Sequence, residues 1–274
     1  MKTKFLHIAT ALLFAGFTSS CSDFLDRYPL DELSDSSFWK TENDAMMAVT
    51  DIYGCLPTWD QDEDINSDNA VHGIKWAAGN ISKGIYDPMD QSWAGSYTPI
   101  RQCNLVLEKV KDIEMSDESR KKIEGQAYFF RAFVYFNLIR SFGDVPYIDK
   151  PLNLTDVEDI TRTPREEVYA KVMADFDKAI EYLPEEWDAA NTPRVTKGAA
   201  LAMKARAALY YSNWQVAADA SKAVIDLGKY ELYDAGNTGK YQELFWEKSD
   251  GCDENILYVQ FNYPDKTHYL IGWE

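Results

Sequence analysis

One long stretch of the sequence, DESRKKIEGQAYFFRAFVYFNLIRSF, governs the kind of fold that this chain can adopt. It follows Ser116, a good helix N-cap, and precedes Gly143, a residue type that commonly terminates helices. Between Ala127 and Ile139, apolar side chains fall on nearly every face of the predicted helix. A helix that is apolar all round must be covered on several sides. We therefore expect this helix at the centre of an all-α fold, with other helices packed around it.

Start signals mark the neighbours of this central helix. Thr41 and Asp44 form a capping box at the start of NDAMMAVTDIYGCL, and helical apolar spacing resumes at Trp93. Thr163 is the expected N-cap of a further helix, with Pro164 as its first residue. The buried stripe expected on that helix consists of Val168, Val172, Phe176, Ile180 and Leu183.

The segment TKGAALAMKARAALYYSNWQVAADASKAVIDLG predicts two helices joined at residues 212–213, with Gly228 at the C-terminal end. Alanines crowd residues 199–208, so another helix can approach the first of the two closely. Helix pairs with small residues at their crossing build tetratricopeptide repeats, and counting back from Pro184 gives a degenerate match to that repeat. The pattern therefore predicts antiparallel, tetratricopeptide-like helix pairs.

The N-terminus has the layout of a secretory signal. Two lysines precede the apolar run FLHIATALLFAGF, and small residues and Cys21 follow it. As a helix this run would span about 20 Å, less than the roughly 30 Å of a bilayer core. We expect residues 1–20 to be a lipoprotein signal peptide, Cys21 to be acylated, and residues 21–40 to be an irregular tether. Cleavage nearby that leaves Cys21 as a thiol is the alternative.

Charge and cysteine content exclude several classes of protein. The formal net charge of −17 at pH 7 repels nucleic acid and anionic lipid headgroups. Cys55, Cys103 and Cys252 are too few for a disulfide framework and lack the spacing of a zinc site. Stability must therefore come from an apolar core, and we expect no metal and no cofactor.

The segment 55–91 carries the residues that predict function, because its prolines, glycines and lack of period indicate a long structured loop. Sugar rings stack on aromatic side chains, while amides and carboxylates bind their hydroxyl groups. The candidate residues for such a site are Asp68, Asn69, Trp76, Asn80, Tyr86 and Trp93. Trp76 and Asn80 are the leading pair, whereas Trp93 shares a helical stripe with Tyr97 and is expected in the core. Trp39, beside Phe38 at a helix entrance, is expected to be a packing residue, and Trp187, Trp214 and Trp246 fit packing at least as well as binding.

Two other kinds of site compete with this interpretation. Oxygen ligands alternate from Asp60 to Asp68, but Ile65 and Val71 stand where an EF-hand needs glycine and glutamate. A looser calcium site and a solvated acidic loop both remain open. Catalysis is not expected, because the chain has no GxSxG, HExxH or phosphate-loop motif; the two carboxylates of a glycoside hydrolase are the remaining alternative.

Six blocks of the chain, taken in order, resemble the SusD/RagB family of Bacteroidetes outer-membrane lipoproteins. The blocks are SSFWKTENDAMMAVTDIYGCL, SWAGSYTPIRQCNLVLEKV, EGQAYFFRAFVYFNLIRSFGDVPY, TPREEVYAKVMADFDKAIEYLP, RVTKGAALAMKARAALYYSNWQVAADASKAVIDLGKYELY and ENILYVQFN. The resemblance implies an α-helical fold of tetratricopeptide-like pairs that bears a glycan-binding surface. It also implies that an aromatic residue and an amide of the N-terminal region contact glycan.

Cellular function is likewise implied by this resemblance. Members of the family sit at the cell surface and pass oligosaccharides to a SusC-like TonB-dependent transporter, and acidic residues such as Asp23 and Asp26 accompany export to the outer face. Members are also commonly around twice as long. We therefore expect residues 41–274 to be the N-terminal helical domain of a truncated or split SusD-like protein. The competing functions are a tetratricopeptide protein-binding scaffold and a secreted glycoside hydrolase.

Fatty-acid labelling tests the predicted anchor at Cys21. Cells that express the parent chain should incorporate radioactive fatty acid into it, because Cys21 is the predicted site of acylation. Two or three acyl chains at this residue would give lasting attachment to a membrane. Cys21→Ala should take up no label, whereas Cys252→Ala should label like the parent. Equal labelling of Cys21→Ala and the parent would contradict the anchor.

Overall fold

Six α-helices dominate the part of the chain that the computed structural model describes, which is residues 38–56, 84, 92–233, 241–245 and 251–261. In chain order they are α1 (Glu42–Ile52), α2 (Ser92–Lys109), α3 (Asp117–Phe142), α4 (Arg165–Tyr182), α5 (Lys197–Tyr210) and α6 (Trp214–Asp226). The chain divides into two units, Met1–Lys40 and Thr41–Glu274, and all six helices belong to the second. The predicted all-α fold is confirmed.

Most helix ends follow the local sequence signals. Thr41 and Asp44 form the predicted capping box at α1, where each side chain accepts a hydrogen bond from the other residue's backbone N–H, at 3.2 and 2.8 Å. The Ser116 hydroxyl accepts from the Ser119 N–H at 3.0 Å and begins α3. Gly143, with φ +71°, ends α3 in a conformation that other residues rarely adopt.

The start of α4 differs from the prediction. The helix begins at Arg165, and Pro164 precedes it with a non-helical ψ of 137°. Thr163 does not cap the helix but pairs with Val145 in an isolated antiparallel bridge. The carboxylate of Asp144 instead accepts a hydrogen bond from the Arg165 N–H at 3.0 Å. The cap comes from a residue 21 positions earlier, which no local pattern reveals.

Helix α3 occupies the centre of the helical unit, as the sequence predicts. It contacts α1, α2, α4 and α5. Its buried apolar side chains include Ile123, Phe129, Phe130, Val134, Tyr135, Phe136, Leu138 and Ile139. Gly125 allows α4 to approach closely, because a Cβ at this position would lie 3.0 Å from Leu183 and Tyr182.

The helix pairs continue from α3 through α4 and α5 to α6, each packed on the next. Ser212, with φ +56°, turns the chain between α5 and α6, and Gly228 lies just beyond the end of α6. Five of the alanines of α5 are buried at its contacts: Ala199, Ala200, Ala205, Ala207 and Ala208. Trp214 differs from the packing role considered for it, since it is 63% exposed at the start of α6.

A buried ion pair connects three of these helices. Arg131 of α3 donates two hydrogen bonds of 2.7 Å to the Asp175 carboxylate of α4 and one of 2.8 Å to the Asn104 amide oxygen of α2. Asn104 in turn donates to the backbone carbonyl of Ile148 at 2.9 Å. The Tyr135 hydroxyl binds both backbone groups of Ile148. These bonds hold α2, α3, α4 and the connection after α3 in one arrangement.

Burial and pairing act in opposite directions on the two charges. Burial raises the pKa of Asp175 above its usual range, and the hydrogen bonds from Arg131 oppose that rise. Burial also disfavours the guanidinium charge, but the hydrogen bonds and the charge of Asp175 outweigh it and raise the pKa of Arg131. Each charge therefore depends on the other for its tolerance in the core.

The cysteines in the described residues are free thiols. Cys103 is fully buried in α2, and burial raises the pKa of its thiol well above the usual value. Burial also raises the pKa of the Cys55 thiol to about 12. Since the thiolate is the reactive form, both residues are chemically quiet near neutral pH.

Removal of one partner tests the structural role of the ion pair. Asp175→Ala should lower the free energy of unfolding by about 3–5 kcal/mol, because it leaves the Arg131 charge buried and unpaired. The matched control is Asp226→Ala in α6, whose exposed pair with Lys222 is worth less than about 1 kcal/mol. Urea unfolding curves measure both values. Equal, small losses for the two variants would show that the pair does not organise the core.

Alkylation of the thiols tests the burial of Cys103 and Cys55. With iodoacetamide at pH 8, Cys252 should react first, Cys55 more slowly, and Cys103 only after unfolding in urea. The rate at Cys55 should rise by about tenfold per pH unit up to its raised pKa, because the thiolate fraction rises in that way. Peptide mass spectrometry reports each site, and fast labelling of Cys103 in the folded chain would contradict its burial.

Candidate functional site

Apart from Trp93, the residues predicted to bind glycan lie outside the described residues, as does the predicted lipid attachment site. These residues are Asp68, Asn69, Trp76, Asn80, Tyr86 and Cys21. The acidic run from Asp60 to Asp68 lies there too. The structure does describe the scaffold at both ends of the segment that carries them, at Leu56 after α1 and at Ser92 in the first turn of α2.

A cleft of about 440 Å³ lies where this segment leaves and rejoins the helices. We call it the root cleft; its lining residues are Asp51, Gly54, Cys55, Gly95, Ser96, Thr98, Pro99, Gln102, Phe133, Val134 and Asn137. They come from the end of α1, the first half of α2 and the middle of α3. Glycine and small hydroxyl side chains make up much of the wall, which keeps the space open.

The side chains of the root cleft combine an aromatic ring with amide and carboxylate groups. Phe133 is half-buried and stacks on Phe129, with ring centroids 6.3 Å apart and planes 11° apart. Asn137 lies one turn further along the same face of α3. Across the cleft, the Gln102 amide donates to the Asp51 carboxylate. An aromatic face beside hydrogen-bonding amides and a carboxylate suits a hydroxylated ring.

Sequence reasoning missed Phe133 and Asn137. Both lie in the helix that is apolar on nearly every face, so neither stands out as a surface residue. The one available signal was their spacing of four residues on a helix, the same spacing that singles out Trp76 and Asn80.

Tyr53 holds the end of α1, from which the segment departs. Its hydroxyl donates to the Gln126 amide oxygen at 2.8 Å and accepts from the Val195 N–H at 2.9 Å. Its ring packs edge-on against Phe130, with centroids 4.5 Å apart. Burial raises the pKa of Tyr53 to about 12, so the hydroxyl keeps its proton. The first wall of the root cleft is therefore anchored to α3 and to the start of α5.

Trp93 packs at the other end of the segment, where it is half-buried at the edge of the core rather than inside the core as the sequence predicts. It packs edge-on against Phe142 at 5.1 Å between centroids, and the Arg162 guanidinium lies 5.2 Å from its ring centre. Tyr97, next on the same stripe, donates from its hydroxyl to the Pro146 carbonyl at 3.0 Å. These contacts make Trp93 a packing residue at the start of α2.

Two further features of the described residues bear on function. They contain no group of three or more histidine, cysteine, aspartate or glutamate side chains that could hold a metal ion. Among them, no helix has both the length and the apolar character needed to cross a membrane.

Comparison with known proteins places this arrangement in a family. Residues 24–209 match a SusD-like family model described as starch-binding and associating with the outer membrane. SusD-like protein P2 from Formosa agariphila is 29% identical over 276 residues, which cover 95% of this chain and 53% of that protein. A SusD-like protein from Bacteroides ovatus is 25% identical, with coverage of 95% and 50%.

Solved structures agree with this assignment. The crystal structure of a SusD-like protein from Bacteroides fragilis matches with a TM-score of 0.75 and 28% identity, over 87% of this chain and 48% of that one. A laminarin-binding SusD-like protein has the same fold, with a TM-score of 0.72 and 23% identity over 81% and 52%. The chain spans about half the length of the curated relatives that it matches. With a family model matched over most of its length, the chain belongs to the SusD-like family.

Proposed function

We propose that this chain is the glycan-binding part of a cell-surface lipoprotein that delivers oligosaccharides to a SusC-like TonB-dependent outer-membrane transporter. The observation that carries the proposal is the root cleft. In this cleft, an aromatic ring and amides of the scaffold lie near the two points at which the segment that holds Trp76 and Asn80 joins α1 and α2.

In this proposal the ligand binds between the segment and the cleft. A sugar ring stacks on Trp76, and Asn80, Asn69 and Asp68 bind its hydroxyl groups. Phe133 and Asn137 of α3, which line the root cleft, contact the same sugar ring or the next one. Because the chain is strongly acidic, neutral glycans are favoured over anionic ones.

The family and its members support a saccharide as ligand. The family description is starch-binding, and one structural neighbour is described as laminarin-binding. Both polymers are neutral glucans, so soluble starch and laminarin are the first probes. Binding without chemical change is the role proposed, since a protein that passes oligosaccharides to a transporter must release them intact.

The anchor and the transporter complete the proposal. Cys21 carries the lipid, and Asp23 and Asp26 behind it direct the chain to the cell exterior. The family description includes association with the outer membrane, which supports this location. The proposed partners are the SusC-like transporter and the oligosaccharide. Nucleic acid is not a proposed partner.

Affinity electrophoresis tests the proposed platform. The parent should be retarded in gels that contain laminarin or soluble starch. Trp76→Ala should weaken binding by about tenfold, because an aromatic contact contributes about 0.5–1.5 kcal/mol beyond its buried area. The matched control is Trp214→Ala, which removes an exposed tryptophan outside the root cleft and should bind like the parent.

Two outcomes would contradict the proposal. Retardation that survives Trp76→Ala unchanged would exclude Trp76 as the platform. Release of reducing sugar from either polymer by the pure protein would contradict a role without catalysis.

A further inference from the structure

A second cleft, of about 290 Å³, lies between the loop that follows α4, the residues that follow α6, and the segment 251–258. We call it the Trp187 cleft. It shares no lining residue with the root cleft. Its volume is close to the lower end of ligand pockets, about 300–1,000 Å³, which suits a small ligand or one or two rings of a longer one.

Aromatic side chains from all three segments line the Trp187 cleft: Trp187, Tyr230 and Tyr258. The Trp187 indole N–H donates to the Val195 carbonyl at 2.8 Å, which fixes the orientation of the ring. The Arg194 guanidinium lies 6.0 Å from the ring centre. Trp187 is therefore held in place before any ligand arrives.

Tyr230, which follows α6, is also fixed in place, by contacts with the start of α5. Its hydroxyl lies 3.0 Å from the Thr196 hydroxyl, the side chain that caps α5. The ring sits directly over Gly198, where a Cβ atom would come within 2.2 Å of the tyrosine oxygen. Only glycine leaves room for this contact, so the second aromatic wall is also pre-formed.

The charged groups still available in the Trp187 cleft are hydrogen-bond acceptors. The cations are already engaged: Lys229 pairs with Glu186 at 2.6 Å, and Arg194 donates to groups of α1 and α3. In contrast, Lys229 pairs with Glu186 and not with Glu185, whose charge acts on it only from a greater distance, and the Asp253 carboxylate has no ion-pair partner among the described residues. The cleft thus offers rigid rings beside carboxylates that can accept hydrogen bonds.

Charge and composition decide between classes of ligand. Three carboxylates, those of Glu185, Glu186 and Asp253, line the cleft with two cations, Arg194 and Lys229, so its net charge is negative and opposes an anion. A metal ion is not supported, since the described residues hold no suitable group of ligands. A neutral sugar ring fits both features, because its C–H face stacks on aromatic rings and its hydroxyl groups donate to carboxylates.

We propose that the Trp187 cleft is a second saccharide-binding site, which takes one or two rings of a neutral glycan. The proposal rests on the proposed function, because it assumes that the chain binds glycan, and it adds a contact point independent of Trp76. Two such sites on one chain strengthen binding to a polymer when both are occupied together.

Cysteine protection tests the two sites separately, because each cleft contains one thiol. Cys252 lines the Trp187 cleft, Cys55 lines the root cleft, and the buried Cys103 is an internal control. The mature chain is alkylated with iodoacetamide at pH 9, with and without laminarihexaose or maltohexaose, and each site is followed by peptide mass spectrometry. At a sugar concentration four times the dissociation constant, labelling of Cys252 should slow by about fivefold, since only the unoccupied fraction reacts.

Two variants assign the effect to the proposed residues. Asp253→Asn and Tyr258→Ala should each raise the sugar concentration needed for protection of Cys252 by about tenfold, through a lost charged acceptor and a lost ring. Asp253→Asn preserves the shape of the side chain, so it remains informative if Tyr258→Ala disturbs folding. The matched controls are Asp159→Asn and Tyr241→Ala, which change exposed residues outside the cleft and should leave protection unchanged.

The possible results separate the two proposals. Protection of Cys55 alone would overturn the second site and leave the proposed function standing. Protection of Cys252 that neither variant shifts would also overturn it. If neither probe protects either thiol and calorimetry detects no binding, both proposals fail.

Discussion

The buried ion pair between Arg131 and Asp175 is the contact on which the rest of the scaffold depends. It joins α3 to α4, and the third hydrogen bond of Arg131 reaches Asn104 on α2. A charge buried without its partner is costly, so these helices are stable together in an arrangement that keeps the pair closed. Apolar packing around α3 provides most of the favourable energy, and the polar contacts select one geometry among many that would bury the same surface.

That geometry determines where the candidate site can form. The root cleft exists because α1 and α2 approach α3 at their loop-facing ends, where glycines and small residues leave the wall open. Tyr53 ties the end of α1 to α3 and to Val195, and Trp93 ties the start of α2 to the end of α3. The segment between them is therefore attached at two fixed points, as expected for a binding loop on a rigid scaffold.

Sequence reasoning succeeded where the information is local. Capping at Thr41 and Ser116 and termination at Gly143 depend on neighbouring residues, and the structure confirms all three. It failed where distant residues meet. The Asp144 cap of α4 depends on how distant segments pack, which no local pattern encodes. The same limit decides which residues of the candidate site can be found from sequence. Trp76 and Asn80 stand out there, whereas Phe133 and Asn137 become candidates when α1 and α2 are placed beside α3.

The most direct test of glycan binding at the root cleft is a crystal structure of the mature chain with laminarihexaose or maltohexaose bound. The account predicts density for a sugar ring in the root cleft, stacked on Trp76 and within contact distance of Phe133 and Asn137. A saturated complex in which the sugar lies elsewhere and the root cleft holds only solvent would contradict it.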